Sequence, residues 1–316
     1  MWEYEDVLKK WLQRLLHQSS SAAVCLSSQT KLFGPVVALL ACLSSNLPCA
    51  MAADIPAQLS SKGGASKGVP SAWDHAVWDQ LLKTHVVVLR EGQATKVDYQ
   101  AFAAQRAALK RYLDALGQVR TETFDSWSKA EQLAFLINAY NAWTVELILT
   151  QYPDLESIKD LGSWFRSPWA KAFIPLLGES RSLDDIEHQL IRGSGRYNEP
   201  RIHFAVNCAS IGCPALRAEA YTAANLDAQL ADQASQFLMD RSRNRPTDEG
   251  LVLSSIFKWY RDDFEQGWRG IDQLETFLVG QSTALGLSAE QVAQLQSKTL
   301  PLQYDDYDWR LNDIVR

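Results

Sequence analysis

The sequence predicts an α+β domain, mainly helical, built around a small β-sheet. Three observations carry that prediction. Apolar residues recur at helical spacing through most of the chain after residue 71. Two short runs, residues 201–206 and 251–253, read as strands. No flexible linker interrupts residues 71–316, which is one domain's worth of sequence and enough for a substantial core.

Residues 1–52 read as an export leader, with an over-long start, rather than as fold. A charged opening over residues 2–17 and a serine-rich spacer lead to Lys31 and an apolar run over residues 32–43, too short to span a bilayer as a mature helix. Small residues at Ala50, Ala52 and Ala53 supply a signal-peptidase pattern, so the mature protein is expected in the periplasm or cell envelope. Leu39-Leu40-Ala41-Cys42 also resembles a bacterial lipobox, an alternative in which a lipid on Cys42 anchors the chain. Residues 53–70, rich in Gly, Ser and Lys, read as a flexible linker.

Cleavage near Ala52 removes Cys25, Cys42 and Cys49, leaving Cys208 and Cys213 as the mature pair. In an oxidising compartment the plainest reading of such a pair is a small disulfide loop. The leader also takes four basic and three acidic residues from totals of 31 and 37, leaving a net charge of −7. An acidic body argues against nucleic acid as a partner, and membrane contact is expected only through a leader or lipid anchor. No nucleotide, nicotinamide or flavin fingerprint is present, so no organic cofactor is expected.

In chain order, residues 73–89 predict a helix with Trp78, Leu81, Leu82 and His85 near one face; His75 and His85 read as packing or surface residues. Asp98 is placed to cap a second helix over residues 100–116, whose stripe is Phe102, Leu109, Tyr112, Leu113 and Leu116. Ser128 and Glu131 form a capping box for a third helix, which runs to about Gln151 and stops before Pro153. Apolar residues cover most of that helix, so Asn138 and Asn141 stand out against a buried background. Buried amides need partners, and these two either pin a neighbouring backbone or hold a catalytic side chain or substrate amide. Residues 159–177 are irregular and carry Trp164, Phe165, Trp169 and Phe173, which fold onto the core or line a cleft.

Ser182 caps a short helix over residues 184–190 in which Glu187 faces the core and His188 sits on the flank. A carboxylate there is expensive without a partner, so the pair reads either as a site or as a structural ion pair. The stretch Arg201-Ile202-His203-Phe204-Ala205-Val206-Asn207-Cys208 follows, a strand ending in a cysteine-containing turn that Gly212 and Pro214 prevent from continuing. Thr222 begins another helix with Leu226, Leu230, Phe237 and Leu238 inward; 251–253 is a strand; an aromatic helix starts at Ile256 and ends near Gly267. The tail, 304–312, is too aromatic to be left unpacked and is expected to dock on the body.

Several of these motifs occur together in one order: Phe135 to Asn141, Asp185-Ile186-Glu187-His188, Ile202 to Cys208, Ser210 with Cys213-Pro214, Phe257-Lys258-Trp259-Tyr260 with Asp263-Phe264, and Tyr307-Asp308-Trp309 with Leu311-Asn312. The set resembles domain-of-unknown-function family 547, found in bacteria and fused to coiled-coil segments in plants. The resemblance spans nearly all of the mature chain and brings no settled activity. In the plant branch, positions matching Cys213 and His203 often differ, while those matching Asn138, Asn141, Glu187, His188 and Cys208 persist. The resemblance therefore favours His188 over His203 as a partner of Cys208.

The enzymatic reading makes Cys208 a thiolate, His188 its base, and Asn141 or Asn138 the group that orients the imidazole or the acyl oxygen. Glu187 then anchors its helix, through His203. On an extended chain His203 lies roughly 16 Å from Cys208 and on the opposite face, which makes it the poorer base. The reaction class is hydrolysis or acyl transfer at an amide or thioester, in the manner of papain-like and transglutaminase-like enzymes, on a peptide-like or small thiol/acyl substrate. The competing reading is a non-catalytic envelope binding or scaffolding module in which Cys208–Cys213 is a disulfide and the asparagines are structural. A metal site is not expected, because H-x4-C-x4-C lacks the tight pair spacing of structural zinc sites. Spacing other than C-x-x-C argues against thiol redox chemistry.

Overall fold

Helix α5 (Lys129–Leu149) is the axis of the first core, and a computed structural model describes residues 73–163 and 166–315 around and beyond it. The expected leader and linker, together with Trp164 and Phe165, lie outside those residues. Ser128 caps α5 by accepting the Glu131 N–H at 3.2 Å. Glu131 does not close the predicted capping box; its Oε1 accepts the Trp73 N–H at 2.8 Å and fastens the start of the domain to α5. From Gln132 to Leu149 every residue of α5 is buried, as the all-round apolar pattern predicts. At about 1.5–3 kcal/mol per buried large apolar side chain, such a helix is held by packing rather than by propensity.

Helix α1 (Ala76–His85) is shorter than predicted, because Val86, Val87 and Val88 leave it as strand β1 (Val86–Leu89), antiparallel to β2 (Ala94–Val97). A run of β-branched residues fits a pleated surface better than a helix. The predicted second helix is two, α2 (Tyr99–Ala104) and α3 (Arg106–Gly117), with Asp98 accepting the Ala101 N–H at the start of α2. Helix α4 (Thr121–Asp125) leads into α5, and the hairpin β3 (Ile174–Leu176) with β4 (Glu179–Arg181) follows it. His75 and His85 are both core residues, His75 against the Tyr112 hydroxyl at 2.7 Å and His85 against the Phe102 ring.

The predicted short helix is a π-helix over Asp185–Arg192, with Ser182 and Asp185 exchanging hydrogen bonds at its start (2.8 and 3.0 Å). The predicted strand at 201–206 is absent. Pro200–Phe204 is a 3-10 turn instead, started by Pro200 and by Glu199, whose carboxylate accepts the Arg201 N–H. All of its residues are buried, Ile202 in the core around α5 and Phe204 in a second core. A helical turn wedged between two cores produces the same apolar alternation as a half-buried strand, which explains the misreading.

Helix α6 (Leu226–Met239) bridges the cores, Leu226 and Leu230 in the first, Phe237 and Leu238 in the second. The second core is closed by a three-stranded sheet, β5 (Arg245–Thr247), β6 (Gly250–Leu253) and β7 (Leu302–Tyr304), in that order with β6 and β7 parallel. Five short helices lie between β6 and β7: α7 (Ile256–Trp259), α8 (Arg261–Phe264), α9 (Leu274–Gly280), α10 (Ser282–Leu285) and α11 (Ala289–Gln296). The architecture is α+β and mainly helical, with small sheets.

The tail docks, as its aromatic content predicts. Its backbone bonds to three separate segments: Val97 N–H to Asn312 O, Ile211 N–H to Arg310 O, and Leu311 N–H to Glu156 O. The Tyr99 hydroxyl donates to Asn312 Oδ1 at 2.7 Å inside the core. Gly212 is required where the tail crosses the cysteine loop, since a Cβ there would meet Asp308 N and the Tyr307 ring at 3.0 Å.

Candidate functional site

Asn141 positions the cysteine loop. Its Nδ2 donates to Ala205 O (2.9 Å) and its Oδ1 accepts the Asn207 N–H (2.8 Å), so one buried amide brackets the chain between the 3-10 turn and Cys208. Asn138 does the same one helical turn earlier, with Tyr221 O at 2.7 Å and Tyr221 N at 3.0 Å. Both side chains spend a donor and an acceptor on backbone. Asn207 then turns the loop, accepting the Ala209 N–H (2.9 Å) and donating to Pro214 O (2.8 Å) while Ala209 takes a left-handed φ of 61°.

Cys208 and Cys213 are joined as a disulfide with Cα atoms 6.1 Å apart. The Cys208 N–H donates to Cys213 Sγ at 2.9 Å, and the Tyr307 hydroxyl lies 3.1 Å from each sulfur. Cys213 is buried at 2% exposure and Cys208 is half-buried. Around the bond the half-buried rings of Trp259, Tyr307 and Trp309 pack on one another, with Trp169 edge-on to Trp309 and Lys159 Nζ 4.1 Å from the Trp309 centroid.

A second cluster gathers the histidines. Asp263 receives Arg192 through Nε (2.5 Å) and Nη2 (3.0 Å), and His203 Nε2 at 2.7 Å. Arg192 Nη1 lies 2.8 Å from His188 Nδ1. A guanidinium only donates, so Nδ1 accepts and the neutral His188 ring carries its proton on Nε2. By the same logic His203 donates Nε2–H to Asp263 and keeps a lone pair on Nδ1, which is buried without a partner, as is Glu187 Oε1. The His203 ring stacks on Tyr260, centroids 3.8 Å apart, and Arg192 lies over the same ring.

Burial alone would raise the Asp263 carboxyl, but the bonds from His203 and Arg192 hold it well below the usual carboxylate range. Burial lowers the His203 imidazole despite the raising effect of Asp263. Glu187 is pushed up by burial and pulled further down by His188, His203 and the Tyr260 hydroxyl, so it too is a carboxylate. The cluster is an ordered ionic network around Tyr260.

Of the six sequence-predicted residues, Glu187, His188 and His203 meet in this cluster, and Asn141 holds the chain at Ala205 and Asn207, one and three residues beyond the 3-10 turn that carries His203. No hydrogen bond joins His188 to either sulfur, and its one lone pair is engaged by Arg192. Asn138 and Asn141 orient neither imidazole. Among the described residues no cluster of His, Cys, Asp and Glu is placed to hold a metal ion. Arg192, Tyr260, Asp263 and Tyr307 complete the two clusters and were not singled out for chemistry. Arg192 lies four residues after His188 on a helical turn, a spacing that pairs side chains, and this was the available signal. A cavity of about 260 Å³ lies elsewhere, beside the end of α5 between Thr150, Asp154 and Lys171.

The chain is a mainly helical α+β protein that carries a disulfide loop fastened to a buried helix and a histidine–carboxylate–arginine network. Residues 124–238 match the family described as "Protein of unknown function, DUF547". No curated protein and no solved structure matches the chain. The matched stretch holds α5, the π-helix, the 3-10 turn and the cysteine loop, while Tyr260, Asp263 and Tyr307 lie beyond it.

Proposed function

We propose that this protein is an exported binding module of the cell envelope whose recognition face is the aromatic surround of the Cys208–Cys213 bond, and that its ligand is peptide-like. The observation that carries this reading is the use to which the expected catalytic groups are put. The sulfurs are bonded to each other, both asparagines are bonded to backbone, and the His188 lone pair is bonded to Arg192. Half-buried Trp and Tyr rings fixed by their neighbours give contact area at low entropic cost, which suits recognition. Export is supported by the leader pattern and by a disulfide that an oxidising compartment preserves.

The full chain is expected to co-sediment with isolated peptidoglycan sacculi, whose peptides present such a ligand, and Trp309→Ala is expected to weaken that binding about ten-fold or more. Equal sedimentation of the variant and the parent, or none of either, contradicts this reading. A cysteine hydrolase or acyltransferase acting on an amide or thioester keeps one supporting observation. Cys208 is the more exposed cysteine of the pair, on a loop that Asn141 holds five residues after His203, itself bonded to Asp263. It requires the bond reduced and a base other than His188. Thioester hydrolysis that appears only in reduced protein and vanishes in Cys208→Ser would favour it.

A further inference from the structure

The spacing Cys-x4-Cys argues against redox chemistry in the sequence, yet the folded loop treats its two sulfurs unequally. Cys208 is half-buried, whereas Cys213 is buried. Cys213 Sγ is buried and alone receives a backbone donor, the Cys208 N–H at 2.9 Å, while the Tyr307 hydroxyl lies 3.1 Å from both sulfurs and Ser210 Oγ lies 3.7 Å from Cys208 Sγ. The hydroxyl has a single proton to share between two sulfurs at equal distance, and a disulfide has no S–H to offer in return. Arg243 adds a fixed positive charge. Its Nη2 donates to Ile211 O inside the loop at 2.6 Å, and its Nη1 is buried with no acceptor. A backbone donor of its own, a share in the Tyr307 proton and a guanidinium that bonds the loop backbone, itself 3.5 Å from Asp240, favour a thiolate developing on the buried sulfur.

We propose that the Cys208–Cys213 bond is exchangeable and that the protein carries out thiol–disulfide exchange with a peptide or protein dithiol. The attacking thiolate of the partner forms a new S–S bond to Cys208 Sγ. The Cys208–Cys213 bond breaks, and its electron pair leaves on Cys213 Sγ, held there by the Cys208 N–H and Tyr307. The partner's second thiolate then attacks its own sulfur in the mixed disulfide, releasing an oxidised partner and a Cys208 thiolate that takes up a proton. Two electrons pass from the partner to the pair, and the reverse sequence oxidises the protein again. Attack at the sulfur of the more exposed cysteine with a stabilised leaving thiolate is the fast direction for such exchange. The inference does not rest on the binding reading, because it concerns the bond itself and not the rings' ligand.

The test uses the full folded chain in glutathione and dithiothreitol, with peptide mapping to separate residues 208 and 213 from the other cysteines. The bond is expected to reduce while the circular dichroism stays native, and quenching is expected to trap glutathione on Cys208 over Cys213 by about ten-fold or more. Tyr307→Phe is expected to slow reduction about ten-fold through loss of one donor. If that variant fails to fold, the partition of the trapped adduct in the parent chain still decides. Reduction only in step with unfolding, or glutathione trapped mainly on Cys213, overturns the proposal; unaltered sacculus binding in either case leaves the two readings separate.

Discussion

Asn141 is the residue on which the cysteine loop depends most directly. Replacing it with Ala strands the Asn207 N–H and the Ala205 carbonyl in the interior. At about 1–3 kcal/mol for each of the two stranded groups, Asn141→Ala is expected to lower stability by about 2–6 kcal/mol in urea titrations, with the bond at 208 becoming easier to reduce. His75 gives the clearest dependence on pH. Burial lowers its folded pKa from 6.5 to about 4, so the unfolded chain binds more protons between those values. Its contribution is therefore fully present above pH 6.5 and is lost as pH falls toward 4. His75→Gln is expected to flatten the urea midpoint between pH 7 and 4.5, whereas a parallel slope in variant and parent would rule His75 out. Asp263, whose folded pKa is depressed, has the same sign at lower pH: its share is present above the ordinary carboxylate range and lost below it. Asp263→Asn should remove that acid limb alone. These partners lay far apart in sequence, 60 residues between His203 and Asp263 and 64 between Asn141 and Ala205, which is why residue types could be flagged and their bonds could not.

Elements whose signal is local were legible. The Ser128 cap, the Asp98 cap, the buried length of α5 and the strand at Leu251 to Leu253 each follow from spacing over a few residues. The segment 201–206 was not, because its alternation comes from contact with two cores on either side of a 3-10 turn. Segment 200–204 is thus a turn and not extended chain, and its His203 bonds to Asp263. The π-helix depends in turn on the reciprocal bonds of Ser182 and Asp185. Ser182→Ala is expected to cost about 1 kcal/mol and to loosen the Arg192–His188 contact, visible as a shift in the His188 imidazole resonances. Unchanged His188 resonances would mean that the cap does not set the register of that turn.

Across the molecule, the tail ties together elements that are remote in sequence. Between residues 307 and 313 it bonds to β2, to the residues before the 3-10 segment at Ile158, and to the cysteine loop, while Tyr307 sits on both sulfurs. Its docking was foreseeable from composition, but its target was not, since each contact joins residues whose separation carries no periodic signal. Gly212→Ala is expected to push the tail away, because the added Cβ meets backbone and ring at 3.0 Å. The expected readouts are a lower melting temperature and faster proteolysis after Tyr307, and neither change would be compatible with a loosely laid tail.

Cys208 is bonded to Cys213 in the folded protein and is not a free nucleophile. The most direct measurement is iodoacetamide labelling of unreduced, folded full-length chain near neutral pH, followed by peptide mapping of residues 201–217. A Cys208–Cys213 linked peptide with neither sulfur alkylated is expected. Stoichiometric alkylation of Cys208 without any reductant would contradict it.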